Sequence, residues 1–130
     1  MKHAISLKVR SYECDSYGHV NHAVYINYLE VARTRYLQEA GYDYPGLMKA
    51  GFFTYVSRVD VSYRSPAFSD EDLTIESEPA LLRRVSGVMR QVIRRGDTVI
   101  AEANVHWCIV NEKGRPSRPP EAYDLRSLTP

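Results

Sequence analysis

The sequence predicts an α+β fold, with one long helix laid against an antiparallel sheet of about five strands. Three observations carry this prediction. Helical periodicity extends over several turns in one stretch, His22 to Ala40. One short strand candidate precedes that stretch, and four follow it in succession. Helix and strands are therefore segregated along the chain rather than alternating, which separates α+β from α/β architectures.

Taken in order, Leu7 to Tyr12 reads as the first strand and leads into a turn-rich segment, Glu13 to Asn21. In the helix, Tyr25, Leu29, Ala32, Tyr36 and Ala40 recur at three- and four-residue steps, as do His22, Ile26, Leu29, Arg33 and Leu37. Asn21 suits an N-cap, and Gly41 stands where a left-handed residue commonly ends a helix. At 1.5 Å per residue the helix should be about 28 Å long. Ser57 to Arg64 then alternates Val59, Val61 and Tyr63 with polar neighbours, the period of a half-buried strand, until Ser65-Pro66 interrupts it. Leu73 to Glu78 alternates again, and Ser86 to Arg94 and Val99 to Val110 make two longer strands joined through Arg95-Gly96-Asp97. Residues 111–120 are polar and hold three prolines, so they should leave the sheet or follow its edge.

Bulk composition narrows the function classes. The 130 residues suit one domain, 1–130, and 44% apolar content allows a core without metal or disulfide support. Lys plus Arg total 17 against 16 Asp plus Glu, a balance that gives no support to nucleic-acid binding. Met1 to Arg10 lacks the apolar stretch of a signal peptide, and no run reaches membrane-spanning length. Cys14 and Cys108 lie far apart with no CxxC spacing, which suits a reduced cytoplasmic setting, and a disulfide between them stays open because sequence does not fix their distance.

The densest chemistry lies in Tyr12-Glu13-Cys14-Asp15-Ser16-Tyr17-Gly18-His19-Val20-Asn21-His22, immediately before the helix. A helix N-terminus offers unpaired N–H groups and a partial positive charge, both suited to an oxyanion. A carboxylate just upstream could activate water or attack a carbonyl directly. Each residue also has a plainer reading. Asp15 and Ser16 have turn composition, Tyr12, Tyr17 and Tyr25 could be core or pocket, and Glu13 could be solvated loop charge. His19 and His22 lack a third metal ligand at a recognisable spacing. No GxSxG is present, and Ser16 shares one short turn with the candidate Asp and His, an arrangement ill suited to a serine triad.

The stretch from Val9 to Tyr25, with Tyr28-Leu29-Glu30-Val31-Ala32-Arg33 after it, resembles the opening of 4-hydroxybenzoyl-CoA thioesterase-like hotdog enzymes. A second patch, Val61-Ser62-Tyr63-Arg64-Ser65-Pro66-Ala67 followed by Asp70 and Leu73, resembles their second strand and the turn after it. The resemblance implies a hotdog fold, homodimers or homotetramers, and active sites between subunits. It implies Asp15 as the catalytic carboxylate and a polarising backbone N–H near His22, whose side chain would give support. It also implies that no metal or redox cofactor is needed. In another branch the catalytic carboxylate sits on the central helix instead; Glu30 is the helical carboxylate here, and its spacing to Arg33 favours an i,i+3 ion pair. Two departures stand out: Glu13 where Asp-x-Asp is common, and Ser69-Asp70 where Gly-Asp is common.

The expected reaction is hydrolysis of an acyl-CoA to a carboxylic acid and CoA. Tyr12, Tyr17, Gly18 and Tyr25 are candidate substrate contacts, and Arg83 and Arg84 are candidate phosphate contacts. The last two belong to an acid-free stretch with Arg90, Arg94 and Arg95, and arginine's planar donor fork matches phosphate. A solvated strand face would explain the same arginines. Asp70-Glu71-Asp72 reads as a solvated turn. The alternatives are a hotdog hydratase or dehydratase acting on acyl thioesters, and a non-catalytic acyl-CoA binding module.

Overall fold

The structure, a computed structural model, describes residues 2–128. Its elements run β1 (His3–Lys8), α1 (Val24–Glu39), α2 (Tyr44–Lys49), β2 (Phe53–Tyr63), β3 (Asp72–Leu82), β4 (Ser86–Arg95) and β5 (Thr98–Val110). The five strands form one sheet in the order β1-β3-β4-β5-β2, and every neighbouring pair is antiparallel. With α1 packed on β3 and β1, this is the expected α+β arrangement. The pairing puts β2, the first strand after the helices, at a sheet edge rather than next to β3.

Alternation along the strands builds the core. Leu73, Ile75 and Ser77 of β3 and Gly87, Met89, Gln91 and Ile93 of β4 are buried at every second position. In β5 a register shift opposite Ile93/Arg94 leaves Ile100 and Ala101 both buried although they are adjacent, the local consequence of a bulge. Pro79 sits inside β3 without breaking it. Its β4 side is paired, but β1 extends only to the partner of Ser77, so no ladder donor is demanded on the other side.

Several predicted boundaries move. The first strand lies at His3–Lys8 rather than Leu7 to Tyr12, because Glu13 Oε1 accepts the Arg10 N–H at 2.7 Å and pulls Ser11–Glu13 into a 3-10 turn. The helix begins two residues late, at Val24. Asn21 is not its N-cap: its side chain accepts the Ala23 N–H at 2.9 Å, and its carbonyl accepts the Val24 N–H. At the other end Gly41 has φ +75, the Gly41 N–H bonds the Gln38 carbonyl and the Tyr42 N–H bonds the Leu37 carbonyl, closing the helix as its glycine predicts. The 16 residues of α1 span about 24 Å. Tyr25, Leu29, Ala32 and Tyr36 are buried as their spacing indicates, and Tyr28 joins them, whereas Ala40 is exposed past the helix end. The short helix α2 has no counterpart in the sequence reading. It starts at Asp43, whose side chain accepts the Gly46 N–H.

Candidate active site

Residues 13–21 fold as a miniature hairpin against the start of α1. Cys14 bridges Val20, the Asp15 N–H bonds the His19 carbonyl at 2.8 Å, and the Gly18 N–H bonds the Asp15 carbonyl at 3.0 Å. Gly18 takes φ +89, the left-handed position that a three-residue hairpin loop requires. Its role is therefore conformational. The hairpin is anchored to the chain before β3 by Val20 N–H to Ala67 O at 2.9 Å, and His19 bridges Phe68.

Within this loop Asp15 is half-buried, with Oδ1 accepting the Tyr17 N–H at 2.9 Å. Among the described residues nothing bonds its Oδ2, so the carboxylate is oriented by one oxygen and has the other available. Asp15 lines a cleft of about 330 Å³ together with His19, Val20, His22 and Tyr25. The rest of its lining is Tyr63, Arg64, Ser65 and Pro66, from the end of β2 and the loop beyond. At the helix start, the Ala23, Val24 and Ile26 N–H groups are consumed locally. The His22 and Tyr25 N–H groups have no acceptor among the described residues. Asp15 and the two residues whose amide N–H groups are unbonded, His22 and Tyr25, thus line one cleft.

Three of the expected site residues, Asp15, His22 and Tyr25, meet there. Tyr25 is 4% exposed, and its Oη accepts the Ala67 N–H at 3.3 Å. Burial, more than any neighbouring charge, pushes its phenol above the ordinary tyrosine value. Tyr12 and Tyr17 do not line the cleft: they are 83% and 82% exposed on the outside of the loop, and the Tyr17 ring stacks on His19.

Arg83 and Arg84 are not brought to the cleft either. They occupy the β3–β4 turn, and Arg84 borders a separate pocket with Arg118 and Asp124. The length of β4, roughly 30 Å, separates that turn from the cleft end of the sheet. At the cleft end Arg95 donates to Pro66 O at 3.0 Å and to Glu71 at 2.9 Å, bracing the loop that forms one wall. Glu71 also accepts the Phe68 N–H, so this residue of the acidic run is structural rather than simply solvated. Arg90 and Arg94 belong to a cross-strand ion-pair row, with Glu102 at 3.4 Å and Glu76 at 2.6 Å respectively.

Two further assignments sharpen. Arg33 pairs with Glu30 at i,i+3, and both border a different cavity, of about 430 Å³, beside the C-terminal half of α1. Glu13 is not free loop charge: its Oε1 accepts both the Arg10 N–H and the Tyr28 hydroxyl. Tyr63, Arg64, Ser65 and Pro66 were not recognisable as cleft residues, although they fall inside the second family-like patch. Cys14 and Cys108 are both free thiols. No group of three or more His, Cys, Asp or Glu among the described residues is placed to hold a metal ion, and no helix among them is long and apolar enough to cross a membrane.

Residues 9–125 match the thioesterase-like superfamily. Long-chain acyl-CoA thioesterase FadM of Escherichia coli K12 is 32% identical over 109 residues, covering 82% of each chain. Acyl-CoA thioester hydrolase YbgC of Escherichia coli O6:H1 is 32% identical over 94 residues, 72% of this chain and 70% of that one. The crystal structure of hypothetical protein TT1821 from Thermus thermophilus superposes with a TM-score of 0.89 at 30% identity, covering 98% of this chain and 95% of that one. The α+β sheet-and-helix architecture is accordingly the hotdog fold, and the chain belongs to the thioesterase-like superfamily.

Proposed function

We propose that the chain is a single-domain thioester hydrolase that converts an acyl-CoA to a free carboxylic acid and CoA, with Asp15 as its reacting carboxylate. One observation carries this reading: Asp15 and His22, whose N–H is unbonded, line the same cleft at the start of α1. The named activities of FadM and YbgC support the same reaction class.

In the general-base route, Asp15 takes a proton from water as the water oxygen bonds to the thioester carbon. The carbonyl oxygen becomes an oxyanion that the His22 N–H stabilises. Losing one well-placed donor of this kind costs roughly 3–4 kcal/mol of transition-state stabilisation. Collapse breaks the C–S bond, and the sulfur leaves with the proton. In the nucleophilic route, Asp15 itself bonds to the carbon and expels the thiolate, and water then hydrolyses the mixed anhydride. Neither route requires a metal or redox group. The His22 imidazole and the Tyr25 ring border the same space, and we assign them supporting contacts to the substrate.

Assembly into homodimers, or dimers of dimers, belongs to this reading. The eleven-residue β2 is a sheet edge with Tyr55, Val56 and Tyr63 exposed, and α1 exposes Ile26 and Val31. Such an edge favours pairing with another strand. A CoA contact by Arg83 or Arg84 would then be made to the cleft of a neighbouring copy, since their own lies a strand length away. A reduced cytoplasmic location fits the two free thiols.

The test is hydrolysis of a panel of acyl-CoAs, followed by thiol release, for wild type and Asp15→Asn. Turnover by wild type, with at least a hundredfold loss in a folded Asp15→Asn protein, is the expected result. Wild-type rates in that variant would overturn the assignment.

A further inference from the structure

We infer that Tyr63 is a positioning residue for the reaction, acting with Asn21 to lock the backbone around the His22 donor; this rests on the thioesterase reading above. Tyr63 is the last residue of β2, 41 positions from His22 in sequence, and its hydroxyl donates to the His22 carbonyl at 2.8 Å. The other end of that peptide unit, the Ala23 N–H, is held by Asn21 Oδ1 at 2.9 Å. One peptide plane is thereby pinned at both its oxygen and its nitrogen. The plane before it carries the His22 N–H itself, and its oxygen, the Asn21 carbonyl, accepts the Val24 N–H at 2.9 Å. Both peptide planes that flank His22 are therefore fixed, while the His22 N–H has no protein acceptor among the described residues.

This arrangement is what preorganisation demands. A donor aimed in advance pays no reorganisation cost as charge develops on the carbonyl oxygen. The Tyr63 ring is itself steadied by Tyr25, with ring centroids 5.5 Å apart, and Tyr25 is buried and holds the Ala67 N–H. A half-exposed tyrosine that only faced solvent would need none of these contacts. The hydroxyl also ties together two segments that line the cleft, the end of β2 and the start of α1. Loss of the tie should loosen the donor without removing the substrate's binding surface, because the ring remains in Tyr63→Phe.

The experiment compares wild type, Tyr63→Phe, Asn21→Ala, the double variant, Asn21→Ser and Asp15→Asn. Thermal melting checks folding, and kcat and KM are measured on whichever acyl-CoA wild type turns over best. Tyr63→Phe and Asn21→Ala should each lower kcat about tenfold and leave KM within about twofold, since small misplacements of reacting groups carry penalties of that order. The double variant should lose little more than the worse single one, because both groups hold the same peptide plane. Asn21→Ser, whose uncharged hydroxyl oxygen can still accept the Ala23 N–H, should recover most of the rate. A folded Tyr63→Phe protein with wild-type kcat, or with its whole loss in KM, overturns the inference. Independent, multiplicative losses in the double variant overturn it as well. Should Tyr63→Phe fail to fold, Tyr63→Leu, which likewise lacks the hydroxyl, takes its place, and wild-type kcat in that folded variant overturns the inference. Wild-type turnover in Asp15→Asn would instead sink the thioesterase site as a whole, which keeps the two failures apart.

Discussion

The Tyr28 hydroxyl donates to Glu13 Oε1 at 2.9 Å, joining the buried face of α1 to the loop that carries Asp15. The same oxygen accepts the Arg10 N–H, and the Glu13 carbonyl accepts the Asn21 N–H at 3.0 Å. Glu13 therefore fastens both ends of the miniature hairpin. Burial and the bond to Glu13 both hold the Tyr28 phenol in its protonated, donating form.

Removing the carboxylate leaves Tyr28, 3% exposed, without its acceptor. Hydrogen bonds to charged groups contribute about 1.5–3 kcal/mol, so Glu13→Ala should destabilise the fold by about 2 kcal/mol in urea unfolding. Because the hairpin also sets Asp15, kcat should fall in a protein that remains folded. Glu13→Gln keeps an acceptor and should lose less on both counts. Equal stability in Glu13→Ala and wild type would show that the contact contributes nothing.

A second polar connection is fully enclosed. Gln91, 0% exposed, accepts from Arg33 Nη1 at 3.0 Å and donates from Nε2 to the Leu29 carbonyl and to Ser77 Oγ at 3.0 and 2.9 Å. It links α1 to β3 and β4 beneath the helix. Gln91→Leu preserves approximate volume but strands the Arg33 donor and Ser77 inside. The expected cost is about 3 kcal/mol, against about 1 kcal/mol for Ser77→Ala, which leaves the arginine bond intact. Chemical denaturation of the two variants measures the difference, and equal losses would refute the ordering.

These contacts also show where the sequence stops being informative. The buried row Tyr25, Leu29, Ala32 and Tyr36 is set by local periodicity, and the alternation of β3 and β4 by period two, so both were legible. Asp15 and His22 could be paired because they share one short loop. Glu13 reads as loop charge until Tyr28 supplies a partner 15 residues on, and Tyr63 reads as strand until His22 supplies one 41 residues back. The start of β2 at Phe53, ahead of the predicted Ser57, was hidden by an irregularity in the strand itself. A bulge between Val56 and Arg58 breaks its alternation, and both Tyr55 and Val56 end up exposed. Positions 83 and 84 were grouped with the other arginines by charge alone, and strand direction then carried them away from the cleft.

Tyr42 makes the alkaline limit of stability testable. Its hydroxyl donates to the Tyr123 carbonyl at 2.8 Å, tying the turn after α1 to the C-terminal segment. Burial first, then the neighbouring Tyr44, Asp124, Tyr123 and Asp43 groups, push its phenol up to about 12 from 10.0. The folded state thus keeps this proton at pH values where the unfolded chain sheds it. Below pH 10 both states hold the proton and the contribution to stability is fully present. Between about 10 and 12 the unfolded state binds fewer protons, so stability falls as pH rises. Tyr42→Phe should be less stable than wild type at pH 8 by about 1 kcal/mol, the usual net value of one hydrogen bond. The gap should then narrow as pH climbs from 10 to 12, because the phenylalanine has no proton to lose. Melting temperatures of both proteins across that range give the answer, and a gap that stays constant to pH 12 would exclude Tyr42 as a source of the alkaline loss.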